Sequence, residues 1–291
     1  MHYPSNLLSG ILNMSEGRLY DLAVSADNAY HRFPIRKRSG KLRWIDSPNA
    51  LLKTCQRGLL EKLLYQLPVN AAAHGFVPGR SILTNAACHV GQAWVIVFDL
   101  KDFFPSVTRA QVDEGIRTIP RLAEVDYDVL GRLLTKKGVL PQGAPTSPYM
   151  ANLVFKSADN ALGCLADDAG LRYTRYADDL TFSGPYVPAK FFVAVREVVC
   201  SHGFRLNDRK TRRMGRHTRQ TVTGLVVNER VQLPRPLRRW LRVVRHDVSR
   251  RGIGKVQLDF PELTRERLEG YLALTRMVEC RPIDGCGTRH K

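Results

Sequence analysis

The sequence lacks several features that would assign it to a specialised class of protein. No hydrophobic run approaches the roughly 20 residues that a membrane-spanning helix needs. There is no internal repeat and no low-complexity tract. The N-terminal segment has no basic stretch followed by an apolar core, so no secretory signal is predicted. We therefore expect a cytoplasmic globular protein without a membrane partner.

Cysteine is also scarce, with 6 residues and no CxxC pair. Four of them are isolated among apolar residues, which predicts buried thiols. These four are Cys55, Cys88, Cys164 and Cys200. The other two, Cys280 and Cys286, lie near His290, but their spacing does not favour a zinc site. The sequence leaves the role of residues 280–291 open.

Acidic residues are few relative to basic ones, at 27 Asp and Glu against 45 Lys and Arg, and the formal net charge is +18. This excess predicts a polyanionic partner, nucleic acid first and an anionic membrane surface second. Residues 201–291 contain 22 basic and 9 acidic residues, whereas residues 1–200 have a net charge of only +5. The C-terminal third is therefore expected to contact the polyanion. The alternative is a solvated basic tail, which the interleaved apolar residues disfavour.

A hydrophobic content of 44% excludes general disorder, and the periodicity predicts a mixed order of strands and helices. The apolar run at residues 94–100 predicts a strand buried on both faces. Residues 171–183 predict two strands joined by a tight turn, and residues 32–45 a hairpin. A further hairpin is predicted about Asn228. Helices are predicted at about 48–67, 109–119, 124–136, 147–165, 188–202, 236–251 and 262–279, with Ser47 and Ser147 beginning two of them before proline.

Three carboxylates stand at the ends of these predicted strands. Asp99 ends the buried strand, and Asp178 and Asp179 are adjacent at the hairpin turn. A buried carboxylate is costly and two adjacent ones repel, so a divalent cation would relieve both effects. Such a cluster could hold two Mg²⁺ ions for phosphoryl transfer. A tight turn can also carry Asp for backbone reasons alone, which is the structural alternative.

Four sequence blocks resemble the motifs of reverse transcriptases. Residues 176–179 read YADD, residues 99–106 read DLKDFFPS, residues 140–148 read LPQGAPTSP and residues 206–211 read LNDRKT. A single block of this kind would be a weak signal. The four occur in the order of the family, so we expect an RNA-directed DNA polymerase.

Two shorter motifs resemble one bacterial branch of that family. Residues 70–74 fit NAxxH and residues 222–224 fit VTG, which mark retron reverse transcriptases, enzymes that make branched RNA–DNA molecules. Group II intron enzymes normally carry further maturase and endonuclease domains, for which we expect too little chain here.

The resemblance implies an α+β right-hand polymerase fold with fingers, a palm built on an antiparallel sheet, and a helical thumb. Residues 1–93 are expected to form the fingers, with 120–140 returning to them. The palm is expected at 94–233 and the thumb at 234–291.

The resemblance also implies catalytic roles. Asp99, Asp178 and Asp179 would bind the metal ions, with the Leu100 carbonyl as a backbone ligand. Lys210 would protonate the leaving pyrophosphate, or alternatively make a simple electrostatic contact. Asp102, in the same block as Asp99, is expected to be structural or to form a salt bridge.

Further residues are implied to contact the incoming nucleotide. Phe104 would leave no room for a ribose 2′-OH, although a core role is the alternative. Arg36 and Arg43 would clamp the triphosphate, if the turn brings both to one face of the hairpin; a general RNA-contacting patch is the alternative. Gln142 would lie near the 3′-OH, and Gly143 would allow close backbone approach.

A last group is expected to contact nucleic acid. Asn70 and His74 are placed in the RNA-recognition region by resemblance, although a His in an Ala-rich loop is more often structural. Helix 236–251 has an apolar stripe and an arginine face, which suits gripping an A-form duplex. The remaining candidates are Arg212, Arg213, Val222, Thr223, Gly224, Arg238, Arg239, Arg242 and Arg245. The alternatives are a purely structural β-turn for residues 222–224 and a solvated basic face for the helix.

The retron resemblance implies a structured non-coding RNA as template, primed from a guanosine 2′-OH to give branched DNA, with Mg²⁺ or substituting Mn²⁺. It further implies a role in anti-phage defence beside a separate effector protein. One alternative is another bacterial reverse transcriptase, of the diversity-generating or abortive-infection class. The other is a catalytically silent RNA-binding scaffold that restrains a toxin, which the complete set of catalytic residues disfavours.

Overall fold

A computed structural model describes residues 7–37, 40–120, 122–260 and 263–279 of the chain. The strands are β1 Tyr30–Arg36, β2 Leu42–Pro48, β3 Trp94–Asp99, β4 Arg172–Tyr176, β5 Asp179–Gly184, β6 Arg212–Gly215, β7 Thr221–Val222 and β8 Leu225–Val226. The helices of the first half are α1 Leu7–Leu12, α2 Glu16–Val24, α3 Ala50–Lys62, α4 Ile82–Ala87, α5 Phe103–Ser106, α6 Arg109–Ile116 and α7 Glu124–Leu134. The later ones are α8 Ser147–Val154, α9 Lys156–Asp168, α10 Ala189–Ser201, α11 Arg235–Arg251, α12 Ile253–Asp259 and α13 Arg265–Glu279.

A four-stranded antiparallel sheet with the order β4-β5-β3-β6 lies at the centre of the molecule. Strand β3 is paired on both sides, which explains its continuous apolar sequence. Ile96 and Phe98 pack into the main core, whereas Val95 and Val97 pack into a second cluster on the other face. The predicted buried strand and the α+β class are confirmed.

The main core continues from one face of the sheet through α3 and α6 to α10. The second cluster joins the other face to α4, β7, β8 and Leu241 of α11, and a third one lies among α11, α12 and α13. The second cluster combines residues from all three predicted lobes. The boundaries between fingers, palm and thumb therefore stay a prediction.

Helix α11 has the predicted division of faces. Leu241 and Val244 are buried, and Trp240 packs edge-on against Tyr271 of α13, with 5.2 Å between ring centroids. The four predicted arginines are exposed on the remaining surface. The short helix α12 was not predicted.

Several local predictions were wrong. Ser47 and Pro48 extend β2, and Asn49 caps α3 by accepting a hydrogen bond from the Leu52 N–H at 2.9 Å. The helix predicted at 147–165 is two helices that break at Phe155. The predicted hairpin about Asn228 is only an isolated bridge of Val226 to Gln232, because β7 and β8 already turn at residues 223–224.

The cysteine prediction holds for two of four residues. Cys55 and Cys88 are buried, whereas Cys164 and Cys200 are exposed on α9 and α10. Cys280 and Cys286 lie outside the described residues, as does the rest of the segment 280–291. Within the described ranges, no helix combines the length and apolar character needed to traverse a lipid bilayer.

Candidate active site

Two antiparallel strands and one tight turn bring the three aspartates to a single end of the central sheet. Asp99 is the cross-strand partner of Asp179 in the β3–β5 pairing. Asp178 lies in the turn between β4 and β5, next to Ala177, whose φ of 56° is left-handed. The Leu100 N–H donates a hydrogen bond to the Asp178 carbonyl at 2.8 Å and closes this end of the sheet.

Two of the three carboxylates, those of Asp178 and Asp179, have a raised pKa. Burial, together with the charges of Asp178 and Asp99, raises the pKa of Asp179 to about 6. Burial and the charge of Asp99 likewise raise the pKa of Asp178. The site therefore holds excess negative charge that its own side chains do not fully neutralise.

Residues 207–210 supply the partners of Asp99. The Lys210 ammonium donates to Asp99 Oδ2 at 2.6 Å, and the Asn207 amide donates to Asp99 Oδ1 at 3.2 Å. Burial opposes the charge on Lys210, but its hydrogen bond to Asp99 and the nearby carboxylates raise the pKa of the lysine overall. The Asn207 N–H also donates to the Asp99 carbonyl at 2.7 Å, which fixes this segment beside β3.

The donor set suits a hard divalent cation, because it consists of carboxylate oxygens that repel one another. Across the part of the chain that the structure describes, however, no three Asp, Glu, His or Cys side chains gather closely enough to form a ready metal site. The Asp99 carboxylate is instead paired with the Lys210 ammonium. A cation bound by Asp99, Asp178 and Asp179 would have to displace this ammonium.

A buried ion pair that was not predicted supports the turn between β4 and β5. Arg175 and Asp159 are both inaccessible to solvent, and the Arg175 guanidinium donates to the two Asp159 oxygens at 2.8 and 2.6 Å. Arg175 Nη1 also donates to Asn152 Oδ1 at 2.9 Å and to the Ala177 carbonyl at 3.1 Å. Arg175 lies directly before Tyr176 of the YADD block, and this position was the available signal.

The segment 70–75 packs along the same strand. The Arg175 N–H donates to the Ala72 carbonyl and the His74 N–H donates to the Arg175 carbonyl, each at 2.7 Å. The side chains of Asn70 and His74 are engaged inside the protein. Asn70 Nδ2 donates to Asn160 at 2.6 Å, and His74 Nδ1 hydrogen-bonds with the Thr84 hydroxyl at 2.9 Å. Their predicted part in RNA recognition stays a prediction.

Arg36 and Arg43 do not share a face of the β1–β2 hairpin, contrary to the prediction. Arg36 is paired with Leu42, and Arg43 with Ile35, so the seven-residue spacing places the two side chains on opposite faces. Burial raises the pKa of Asp178, and the charge of Arg43, unlike that of Arg36, slightly opposes this rise.

The LPQG segment is hydrogen-bonded to strand β2 of the first hairpin. The Asp46 N–H donates to the Gln142 carbonyl at 2.9 Å, and Gly143 has a φ of 139°. A Cβ at Gly143 would lie 2.6 Å from the Asp46 carbonyl oxygen, so glycine permits the close approach of this segment to the backbone of β2. The predicted approach to a nucleotide stays a prediction. Phe104 is half-buried and lies against Phe103, with 5.6 Å between ring centroids.

The candidate nucleic-acid contacts fall into two groups. Arg213 stacks over Trp94 at 4.4 Å from the ring centroid, and Arg212 donates to the Thr221 hydroxyl at 3.2 Å. In the VTG segment Val222 is buried, and the Thr223 hydroxyl donates to the Ile82 carbonyl at 2.9 Å. Arg212 and Arg213 are nevertheless exposed, as are the other members of this set, Gly224, Arg238, Arg239, Arg242 and Arg245. Asp102 is also exposed and forms no ion pair within the described residues, so its predicted salt bridge is absent there.

Comparisons with known proteins agree with this arrangement. Residues 35–227 match the family model described as reverse transcriptase (RNA-dependent DNA polymerase). The chain is 40% identical to the retron Mx162 reverse transcriptase of Myxococcus xanthus, over 92% of this chain and 62% of that protein. It is 39% identical to the retron Mx65 enzyme of the same organism, over 90% and 64%. The retron Ec86 enzyme of Escherichia coli is 35% identical, over 72% and 66%.

The chain thus spans slightly less than two thirds of the length of these relatives. Among solved structures, it is similar to apo telomerase from Candida tropicalis truncated from the C-terminal domain. That match has a TM-score of 0.46 and 15% identity, over 70% of this chain and 55% of the other, which is too weak to carry an argument. The family match covers the strands and turns that bring the three aspartates together. The chain belongs to the reverse transcriptase family, has its right-hand polymerase fold, and within that family is of the retron type.

Proposed function

We propose that this chain catalyses RNA-templated DNA synthesis, in which a primer hydroxyl attacks the α-phosphate of a deoxynucleoside triphosphate. The observation that carries the proposal is the cross-strand pairing of Asp99 with Asp179 beside Asp178. Such a concentration of negative charge, inside a protein with a net charge of +18, suits a reaction on nucleic acid phosphates.

Asp99, Asp178 and Asp179 would hold two Mg²⁺ ions, or Mn²⁺ in their place, with the Leu100 carbonyl as a further ligand. Bound metal would supply positive charge to the attacking and leaving oxygens. Lys210, once released from Asp99, would present its ammonium to the departing pyrophosphate as proton donor or as charge.

The nucleotide would lie between the fingers hairpin and the sheet. Arg43 is the arginine whose charge reaches the carboxylates, so it would bind the triphosphate, whereas Arg36 would contact nucleic acid on the opposite face. Gln142 would lie near the sugar of the incoming nucleotide, because its carbonyl accepts a hydrogen bond from the Asp46 N–H and so lies beside β2. Phe104 would exclude a 2′-OH by the bulk of its ring.

The template and primer would lie along the basic surface. The exposed arginines of α11 suit the phosphates of an A-form duplex, while the Leu241 side of the helix is buried against its neighbours. Arg212 and Arg213 would extend this surface from β6. Asn70, His74 and the VTG segment would act on nucleic acid indirectly, since their described contacts lie within the protein.

Because the relatives are retron enzymes, we further propose that the template is a structured non-coding RNA. Synthesis would be primed from a guanosine 2′-OH to give branched DNA, in the cytoplasm, as part of anti-phage defence with a separate effector protein.

Sequencing the nucleic acid that co-purifies with the protein tests this function. One portion is treated with RNase, one with a debranching enzyme and one is left untreated. The proposal predicts a single RNA species joined to DNA, with a link that resists RNase but is cleaved by debranching. Unbranched DNA would contradict retron priming, and failure to extend any primer on the co-purified RNA would contradict polymerase function altogether.

A further inference from the structure

An aromatic side chain, that of Phe76, lies beside Phe104 and Tyr176 at the candidate site. The side chain of Phe76 is 43% exposed, although the residue directly follows the segment 70–75, which packs on β4. Its φ of 62° is in the left-handed region, which is uncommon for a bulky residue. An exposed ring on a strained backbone next to a reaction site indicates a constraint imposed by the surroundings.

The surroundings fix the backbone just before this residue. The Asn152 amide donates to the Gly75 carbonyl at 2.8 Å. A Cβ at Gly75 would lie 2.6 Å from the Ala177 nitrogen, so the chain touches the catalytic turn directly at this position. Phe76 is therefore tied to the same buried residues that support Asp178.

The ring of Phe76 lies beside two aromatic rings of the site. Its centroid is 6.3 Å from that of Phe104 and 6.2 Å from that of Tyr176. Phe104 also contacts Phe103, which is buried in the main core. The ring of Phe104 is thus supported by Phe103 from the core and by Phe76 from the exposed side.

We propose that Phe76 is a positioning residue that controls sugar discrimination by holding Phe104 and Tyr176 in place. The proposal rests on the polymerase function and on the predicted role of Phe104. A ribonucleotide can enter only if the Phe104 ring yields to its 2′-OH, and the contact with Phe76 opposes that movement. Phe76 acts through Phe104 and need not touch the nucleotide.

Single-nucleotide primer extension tests this inference, with kcat and KM measured for a deoxynucleotide and for the matching ribonucleotide. We expect Phe76→Ala to reduce the preference for the deoxynucleotide about threefold to tenfold, the range that one aromatic contact supports. The change should lie mainly in the ribonucleotide parameters. Phe76→Tyr keeps the ring and should restore discrimination. Tyr186→Ala, which removes a ring that is 66% exposed, is the matched control and should change nothing.

The outcomes separate this inference from the proposed function. If the wild type extends primers and Phe76→Ala discriminates as well as it does, the inference is overturned and the function stands. An equal loss of both activities would indicate a merely structural residue and also overturn it. If Phe76→Ala does not fold, Phe76→Leu takes its place in the test, because leucine keeps apolar volume without the ring. Phe76→Leu should show the same reduced preference for the deoxynucleotide. A wild type that extends no primer would overturn both proposals.

Discussion

At the scale of single residues, Arg36 and Arg43 show that a sequence motif predicts which residues are present but not which face of a hairpin each one occupies. The sequence correctly indicates a basic hairpin, but the faces of its residues depend on the strand register. Arg36 pairs with Leu42, so these two side chains share one face of the hairpin. Arg43 is the next residue after Leu42 and therefore lies on the other face. Only the turn length decides this, and the turn length could not be predicted from composition.

The register predicts that the two arginines have unequal effects. Arg43→Ala should raise KM for the deoxynucleotide by about tenfold, because about 1.4 kcal/mol of charge-assisted hydrogen bonding to phosphate is lost. Arg36→Ala should leave this KM nearly unchanged and weaken template binding instead. Steady-state kinetics on both variants checks this. Equal increases in KM would contradict the assignment of faces.

A buried pair at this scale was not predictable from the sequence. The position of Arg175 beside the YADD block does not indicate that its side chain turns inward to Asp159, since an arginine within a strand normally reaches solvent. The aspartates of the motifs were predictable because their sequence context is specific. The arginine that supports their turn was not, because its role depends on the packing of α9 against β4.

Breaking the pair should destabilise the whole protein. Arg175→Met leaves the Asp159 carboxylate buried without its partner, which is expected to lower the free energy of unfolding by about 3–5 kcal/mol. The double variant Arg175→Met with Asp159→Leu should be less destabilised than the single one. Urea denaturation measures both. The exposed pair Arg196 and Asp208 is the control, and Arg196→Met should have little effect. A single variant as stable as the wild type would contradict the proposed support of the turn.

At the scale of elements, local sequence signals predicted where helices begin less reliably than the apolar repeat predicted which helix faces are buried. The apolar stripes of α3 and α11 were predicted correctly, since burial follows the helical repeat. The start of α3 was misplaced because Ser47 continues the β1–β2 ladder opposite His31, and Asn49 takes the capping role. Strand pairing is a tertiary effect that a local Ser-Pro signal does not contain.

The packing of His89, which follows α4, against β4 and β5 predicts a dependence of stability on pH. His89 is fully buried and hydrogen-bonds with the hydroxyls of Ser183 at 2.6 Å and Thr174 at 2.7 Å. Burial, together with the charges of His74 and Arg172, lowers the pKa of His89 to about 3. Between about pH 6.5 and pH 3 the unfolded chain binds a proton that the folded chain does not. Stability from this residue is therefore full above pH 6.5 and is lost as the pH falls.

Comparison with His89→Gln isolates this contribution. The wild type should lose up to about 1.4 kcal/mol per pH unit more than the variant over the interval between pH 6 and pH 4. Asp179 contributes in the opposite direction, because its raised pKa makes the folded state the better proton binder, but it does so in both proteins. Denaturant unfolding at several pH values gives the slopes. Identical slopes would show that His89 is not held neutral.

At the scale of the whole molecule, the distribution of charge agrees with the proposed separation of a nucleic-acid-binding surface from an acidic active site. The net +13 beyond residue 200 includes the exposed arginines of α11, and the carboxylates lie in the less basic first part. Counting charges could predict a polyanionic partner and that it contacts the C-terminal third of the chain. It could not predict α12 or the shared core between β3 and α11, because both depend on long-range packing.

The α11 arginines should determine the salt dependence of duplex binding. Each arginine that contacts a phosphate contributes about 0.7–0.9 to the slope of log affinity against log salt. Replacing Arg238, Arg239, Arg242 and Arg245 by Ala should therefore flatten this slope as well as weaken binding. Titration of an RNA–DNA duplex at several salt concentrations measures it. Arg117→Ala, which removes an exposed arginine paired with Glu124, is the control. An unchanged slope would place the duplex elsewhere.

The most direct test of the central claim compares two aspartates in primer extension with divalent cation present. Asp178→Asn removes a carboxylate of the cluster, while Asp102→Asn changes an exposed aspartate whose φ of 48° asparagine also tolerates. We predict that Asp178→Asn lowers synthesis at least about a hundredfold, since about 3 kcal/mol of transition-state stabilisation is lost. RNA binding should stay intact, and Asp102→Asn should remain active. Synthesis by Asp178→Asn at the level of Asp102→Asn would contradict the account.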